Sequence, residues 1–431
     1  MIGSSAGDSR RRGAWLGRMF SAALAVAVVL ALATVSRAEG PARTGLTGRL
    51  AAHVSFLASP EQEGRGAGSP GLTRCRDYIR EAFEEIGLEV TVQPFRPSAA
   101  DAAADRPPAF GAWGEVELSN VVGVLRGSEP SRGTIVLAAH YDHLGRDASG
   151  ATFAGADDNA SGVALLIELA RALKAETPLR RDLVFLATSG EESGLLGAKA
   201  YVASPVAPLG QTIAMLNFDT VGRMVDRKLY LLGVSSASEW TEILRSVNLG
   251  FQFDLVMPEK APFASDQTPF FERGVPVVHF FTGPNSDYHR TSDLPEALDL
   301  DALGDLADYA REIAVFLADR EQRLTFVPPG AAETKPMSGS GAPRRVSLGT
   351  IPDFKQTSGG VLLSGVTPGS PAEQVGLKAG DVLVELDGVA IDNLGDFTDV
   401  LKAHQPGDVV SVRVKRGEEI LSHQVTLVER K

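Results

Sequence analysis

Thr134-Ile-Val-Leu-Ala-Ala139 is an unbroken apolar run, and it ends on His140-Tyr-Asp142. A half-buried strand alternates apolar with polar residues, whereas a run with no polar face belongs to a strand covered on both sides. Leu183 to Thr188, Thr212 to Phe218 and Val275 to Phe281 read the same way. Helix-like spacing fills Gly162 to Leu173 and Leu300 to Leu317. Strands alternating with helices predict an α/β fold, a mixed and largely parallel sheet sandwiched between helices.

Toward the N-terminus, residues 45 to 86 have helical periodicity, with Leu72, Ile79, Phe83 and Ile86 on one face and Gly87 as the stop. A short strand, Leu88 to Phe95, follows, and the Ala-, Asp- and Pro-rich stretch 97–112 is expected to be a surface loop without chemistry. Toward the C-terminus, residues 323–344 are rich in breakers and lack an apolar period, which predicts a linker. Short strands and frequent turn signals from Arg345 onward predict a small β-rich domain over 345–431. The large α/β unit therefore occupies 45–322.

The first 38 residues obey another logic. Arg10, Arg11, Arg12 and Arg18 precede an uncharged apolar run from Met19 to Val35, and Ser36-Arg37-Ala38 offers small residues to a signal peptidase. The pattern predicts a signal peptide cleaved after Ala38, and thus an exported protein, periplasmic or extracellular, with no membrane association once cleaved. The alternative is a retained N-terminal anchor helix. Losing five Arg and one Asp takes the net charge from −12 to −16, which argues against a nucleic-acid partner. The single cysteine, Cys75, excludes an intramolecular disulfide and a cysteine-based metal site, and it reads as a small apolar residue on a helix face.

Metal-ligand residue types stand where the strand-like runs end: His140, Glu191 with Glu192, Asp219, and His289 after a longer loop. Beyond the carboxyl ends of parallel strands, residues distant in sequence converge. Asp158 lies in Gly155-Ala-Asp-Asp-Asn-Ala-Ser-Gly162, a small-residue turn opening a helix. Two His and several carboxylates with no thiolate suit a catalytic zinc pair, and cobalt or manganese would also accept such donors.

Taken in order, His140-Tyr-Asp142, Gly155 to Gly162, Glu191-Glu192, Asn217-Phe-Asp219 and Asp287-Tyr-His289 resemble the di-zinc aminopeptidases related to aminopeptidase Y, bacterial leucyl aminopeptidase and glutamate carboxypeptidase. The resemblance spans about 45 to 320. It implies that His140 and Asp219 bind one metal, that Glu192 and His289 bind the other, and that Asp158, followed by a cis peptide to Asn159, bridges them. It makes Glu191 the general base, which takes a proton from the attacking water and returns it to the leaving amine. It makes Asp142 the carboxylate that accepts the second ring N–H of His140. Asp266, in Ala264-Ser-Asp-Gln-Thr-Pro-Phe270, matches a cleft-lining segment in which relatives often have Ser-Asp-His, and Gln267 departs from it. Asp266 is equally suited to cap a helix. Tyr288 adjoins His289 and is a second candidate for substrate contact. His53, His404 and His423 have no ligand company, and His143 and His279 are left outside the site.

Gly360-Val-Leu-Leu-Ser-Gly-Val366, Ser370-Pro-Ala to Leu383 and Leu386-Asp-Gly388 resemble a bacterial PDZ domain of the kind found in periplasmic serine proteases. The resemblance implies peptide capture by strand addition, with Val346-Ser-Leu-Gly349-Thr350 receiving a C-terminal carboxylate, or else a docking role. The function expected is an exported metal-dependent aminopeptidase acting on peptide substrates. Alternatives are a carboxypeptidase or glutaminyl cyclase of the same family, and an inactive peptidase-like PDZ scaffold.

Overall fold

A computed structural model describes residues 41–98, 112–147, 149–176, 178–258, 265–328, 345–352, 359–391, 394–417 and 419–429. The expected signal peptide, most of the stretch 97–112 expected as a loop, and most of the expected linker lie outside these residues.

Eight strands form one sheet: β1 (Glu89–Phe95), β2 (Leu118–Leu125), β3 (Thr134–His140), β4 (Asp182–Thr188), β5 (Thr212–Phe218), β6 (Lys228–Leu232), β7 (Asp254–Val256) and β8 (Val277–Phe281). Their order is β1-β2-β4-β3-β5-β8-β6-β7. The central four, β4, β3, β5 and β8, run parallel, β1 and β2 join their neighbours antiparallel, and β6 lies antiparallel to β8 and parallel to β7. The sheet is thus mixed with a parallel centre, as the apolar runs predict.

Strand β3 shows why its sequence carries no polar face. Ile135, Leu137 and Ala139 pack into a core with the helices α1 (Pro41–Leu57), α2 (Pro70–Ile86), α3 (Gly162–Ala175) and α7 (Leu300–Asp319). The alternate residues Val136 and Ala138 pack on the opposite face, against α4 (Leu196–Ala203) and α6 (Gln267–Phe271). One more helix, α5 (Trp240–Asn248), packs into the same core beside β6. Helices on both faces explain the uniformly apolar strands.

The periodicity of 45–86 is not one helix. It breaks between Leu57 and Pro70, where Pro60, Gly64, Gly66 and Gly68 supply turns. Gly64 sits at φ 66°, and a Cβ there would meet the Gly145 carbonyl oxygen at 2.3 Å, so the segment is bent against the loop that follows β3. Ser69 restarts the chain as α2 by accepting the Leu72 N–H, and Gly87 ends that helix with φ 83°. Cys75 is buried on the inner face of α2 as a free thiol.

Chain that reads as the start of the linker is held to the α/β unit. Phe326 bridges to Ala237, Val327 N–H donates to Ser236 O at 2.8 Å, and Leu324 is buried.

The C-terminal unit has its own core of Val346, Leu348, Leu363, Leu383, Phe397 and Val412 among others. Its strands β10 (Thr350–Pro352), β11 (Val361–Val366), β12 (Val382–Leu386), β14 (Val409–Arg416) and β15 (Glu419–Thr426) pair antiparallel in the order 10-11-12-14-15. Strand β13 (Val389–Ala390) pairs with β12, and β9 (Val346–Ser347) pairs with β16 (Val428–Glu429). Two short helices, α8 (Pro371–Gln374) and α9 (Leu394–Lys402), complete it. No described helix is long and apolar enough to cross a membrane.

Candidate metal centre and active site

The carboxyl ends of the four parallel strands deliver the site. His140 closes β3, Glu191 and Glu192 follow β4, Asp219 follows β5, and the loop after β8 returns with His289. The turn Ala156–Ser161, before α3, brings in Asp158 from the side.

Asp158 stands at the centre. Its Oδ1 lies 3.4 Å from His140 Nε2, and that same nitrogen lies 3.3 Å from Asp219 Oδ1. Its Oδ2 lies 3.0 Å from His289 Nε2, which is 3.1 Å from Glu192 Oε1. Two donor sets therefore share one carboxylate, and all five expected ligands are brought together in the expected partition. The neighbouring Asp157 faces elsewhere: its oxygens accept Gly222 N–H at 2.7 Å and Asn285 Nδ2–H at 3.1 Å. The Asp158-Asn159 peptide is cis.

The backbone around Asp158 is held by two buried groups that the motifs leave out. Asp293 accepts the N–H groups of Asp157 and Asp158 at 2.9 and 3.1 Å. The Arg65 guanidinium, 1% exposed, donates to the carbonyls of Tyr141, Leu57, Ala154 and Gly155 at 2.6 to 2.9 Å. It ties the end of β3 to the turn that carries Asp158. Arg65 lies in the stretch read as continuous helix, so its sequence neighbourhood hides this role.

Asp142 departs from the expected contact. His140 Nδ1 lies 3.2 Å from the backbone carbonyl of Asp142, whereas the Asp142 carboxylate is 3.7 Å away. That carboxylate accepts the backbone N–H groups of Glu191 and Glu192 at 3.1 and 3.3 Å. The geometry follows from the sharp turn after β4, whose free amides need an acceptor.

Asp219 is oriented by hydroxyls: Thr220 donates to Oδ1 at 2.9 Å and Ser265 to Oδ2 at 2.8 Å. Asp266 opens α6 without a capping bond. Its fully buried carboxylate accepts the Thr188 hydroxyl at the end of β4 instead, and burial pushes its pKa up to about 7. Tyr288 is 49% exposed and stacks on the His289 ring with centroids 3.9 Å apart. His279 lies 3.0 Å from the Asn217 side-chain amide, and burial holds it down near 4.

The adjacent glutamates are driven apart. Burial raises Glu191 well above the usual carboxylate range, with the Asp219, Glu192 and Asp266 charges adding to it. Burial also acts to raise Glu192, but the His289 and His143 imidazoles outweigh it and hold Glu192 well below that range.

His143, outside the site in the sequence reading, is inside it. Its Nδ1 lies 3.0 Å from Glu192 Oε1 and 3.8 Å from Asp158 Oδ2. The available signal was the spacing: His140-Tyr-Asp-His143 places a second imidazole in the first turn of chain after β3.

Residues 120–314 match the model of peptidase family M28, and residues 349–427 match that of a PDZ domain. Residues 120–314 are a domain of peptidase family M28. A probable zinc metalloprotease of Leptosphaeria maculans is 31% identical to the chain over 285 residues, 56% of this chain and 63% of that protein. Aminopeptidase YwaD of Bacillus subtilis is 28% identical over 215 residues, 47% of this chain and 45% of that protein. The chain thus spans between 45% and 63% of the length of these relatives. A solved zinc aminopeptidase from Bacillus subtilis superposes on the M28 unit with a TM-score of 0.54 at 17% identity, covering 64% of this chain and 96% of that one. That likeness concerns the fold, and it agrees with the mixed sheet and its two helical layers.

Proposed function

We propose that the chain is an exported, metal-dependent aminopeptidase that removes N-terminal residues from peptides. Two zinc ions would be held by His140, Asp158, Glu192, Asp219 and His289, with Glu191 as the proton carrier. The observation that supports this most is the pair of donor sets sharing Asp158, with a fourth and differently tuned carboxylate, Glu191, beside them.

The donor atoms fit such ions. A tetrahedral zinc with arms of about 2.1 Å requires its ligand atoms to stand about 3.4 Å apart. The separations of 3.4 and 3.3 Å in the first set, and of 3.0 and 3.1 Å in the second, are close to that spacing. Asp158 Oδ2 and Glu192 Oε1 are buried and make no hydrogen bond, as oxygens reserved for a cation would. Cobalt or manganese would accept the same donors.

Bound zinc would supply an acidified water and polarise the scissile carbonyl. The chain's own groups do the rest. Glu191, its proton affinity raised by burial, takes a proton from the attacking water and passes it to the leaving amine. Glu192 stays an anion suited to ligation. Asp142 fixes both glutamates through their amides, and Ser265 and Thr220 fix Asp219.

The aminopeptidase assignment draws on the likeness to aminopeptidase YwaD of Bacillus subtilis, and export draws on the basic, then apolar, N-terminal sequence. The PDZ domain adds a surface for peptide C-termini. Purified protein is to be assayed on aminoacyl and N-blocked peptides with chelator and metal add-back. Cleavage of free N-termini alone, lost with chelator and restored by zinc, is the expected result. Turnover of blocked substrates only would replace the assignment by a carboxypeptidase, and glutamine cyclisation would replace it by a cyclase. N-terminal sequencing of exported protein should begin at Glu39.

A further inference from the structure

We propose that His143 is a ligand of the second metal, through Nδ1, so that this ion is held by two imidazoles and two carboxylates while its neighbour is held by one imidazole and two carboxylates. The proposal rests on the two-metal reading above and adds a sixth side chain to it.

The ring is 2% exposed, and neither of its nitrogens makes a hydrogen bond. Burying an imidazole in that state is costly unless something else engages it. Nδ1 nevertheless stands 3.0 Å from Glu192 Oε1, itself buried and without a hydrogen bond, and 3.8 Å from Asp158 Oδ2 in the same condition. Three polar atoms this close with no aligned hydrogen bond among them are arranged as donors around a common centre. Their separations bracket the roughly 3.4 Å edge of a zinc tetrahedron. His143, Asp158 and Glu192 alone would complete a three-donor set, and His289 Nε2 lies 3.0 Å from the same Asp158 oxygen and 3.1 Å from the same Glu192 oxygen.

The surroundings fix the ring there. The backbone N–H of His143 donates to the backbone carbonyl of Arg65 at 3.1 Å, so the buried arginine that positions the Asp158 turn also positions His143. Gly155 makes room for the ring: at φ 58°, a Cβ there would stand 2.5 Å from His143 Cδ2. The two metals would then differ. Four protein ligands would hold the second ion and three the first, the difference that separates structural from catalytic sites.

Zinc-edge X-ray absorption on the full-length zinc-loaded protein counts the imidazoles. Three imidazoles for two zinc ions are expected, falling to two in His143→Ala, and one zinc equivalent should be stripped from that variant at about tenfold lower chelator than from wild type. If His143→Ala fails to fold by circular dichroism, His143→Asn, which keeps most of the volume, gives the same comparison. A wild-type count of two imidazoles for two zinc ions overturns the proposal and leaves the two-metal reading intact. Failure of the wild-type protein to take up two zinc ions overturns both.

Discussion

The side chain of Asp142 and the backbone of Glu191 are joined: Asp142 Oδ1 accepts the Glu191 N–H at 3.1 Å, while its other oxygen accepts the Glu192 N–H at 3.3 Å. One carboxylate thus sets the entry of two glutamates with different work to do. Its substitution should be felt in catalysis more than in folding. An asparagine has one acceptor oxygen and must turn its amide toward one of the two N–H groups. Asp142→Asn should lower kcat/KM by about 10- to 100-fold, the effect usual for partners that orient ligands, with a smaller loss of bound zinc. Zinc content and steady-state kinetics on one aminoacyl substrate check this, and wild-type kinetics would deny Asp142 a positioning role.

Glu191→Gln separates proton transfer from ligation. The amide keeps the volume and cannot carry the proton, so kcat should fall by about 100-fold or more while zinc content stays at the wild-type level. Glu192→Gln should do the reverse and lose metal first. Metal analysis of both variants beside their kinetics tests the pair, and loss of zinc from Glu191→Gln would exchange their roles.

Arg65 holds four carbonyl oxygens from three separate segments. A lysine offers a compact ammonium with three donors in place of the planar fork, and it cannot reach all four. Each buried acceptor left alone costs roughly 1 to 3 kcal/mol, so Arg65→Lys should destabilise by about 3 kcal/mol. The measurement is a shift in urea midpoint at unchanged m-value. Because the same carbonyls belong to the β3 end and the Asp158 turn, zinc affinity should fall with it.

How much of this was legible follows from what each segment asks of its residues. Strands β3, β4, β5 and β8 announce themselves because burial on both faces leaves no room for polar side chains, and the ligands stand where those runs stop. Strand β2 and the short strands β6 and β7, the last at the edge of the sheet, lack that contrast. The break between Leu57 and Pro70 was masked because residues on both sides keep helical spacing while the buried Arg65 between them serves the backbone of a distant turn. His143 was passed over for a related reason. Its meaning depends on Glu192 and Asp158 lying within 4 Å, which no local pattern encodes. Asp266 shows the converse, because a helix-opening aspartate reads as a cap whereas its carboxylate turns inward to Thr188.

Cys75 gives a test of the core under α2. Burial pushes its thiol from the ordinary value of 9.0 up to about 11. With the folded pKa above the unfolded one, the native state binds the thiol proton more tightly. The resulting stability is complete below about pH 9 and is lost as pH rises through 11. At pH 8 the native protein should resist iodoacetamide and react fully only in denaturant. The Cys75→Ala variant should lose less stability than wild type between pH 9 and 11, and rapid alkylation of the native protein at pH 8 would place the thiol elsewhere.

The PDZ domain poses the last question, whether its β10 edge receives peptide ends. Strand β10 is terminal in its sheet and pairs only with β11 among the described residues, while Leu348 and Gly349 form the turn before it. Gly349, at φ 74°, closes that turn: its carbonyl accepts the Thr367 N–H at 2.7 Å. A peptide adding along β10 would bring its C-terminal carboxylate to this turn, where backbone amides recognise an anion and cannot so recognise an amide. Full-length Glu191→Gln protein, which should not digest its ligand, is the species to titrate. Peptides with a free C-terminus should bind at least about tenfold more tightly than their amidated forms, a difference of about 1.4 kcal/mol. Gly349→Val should abolish that preference, because a Cβ at this position would stand 2.2 Å from Ser370 Cβ and displace the turn. Equal affinity for free and amidated peptides would instead make this domain a docking module.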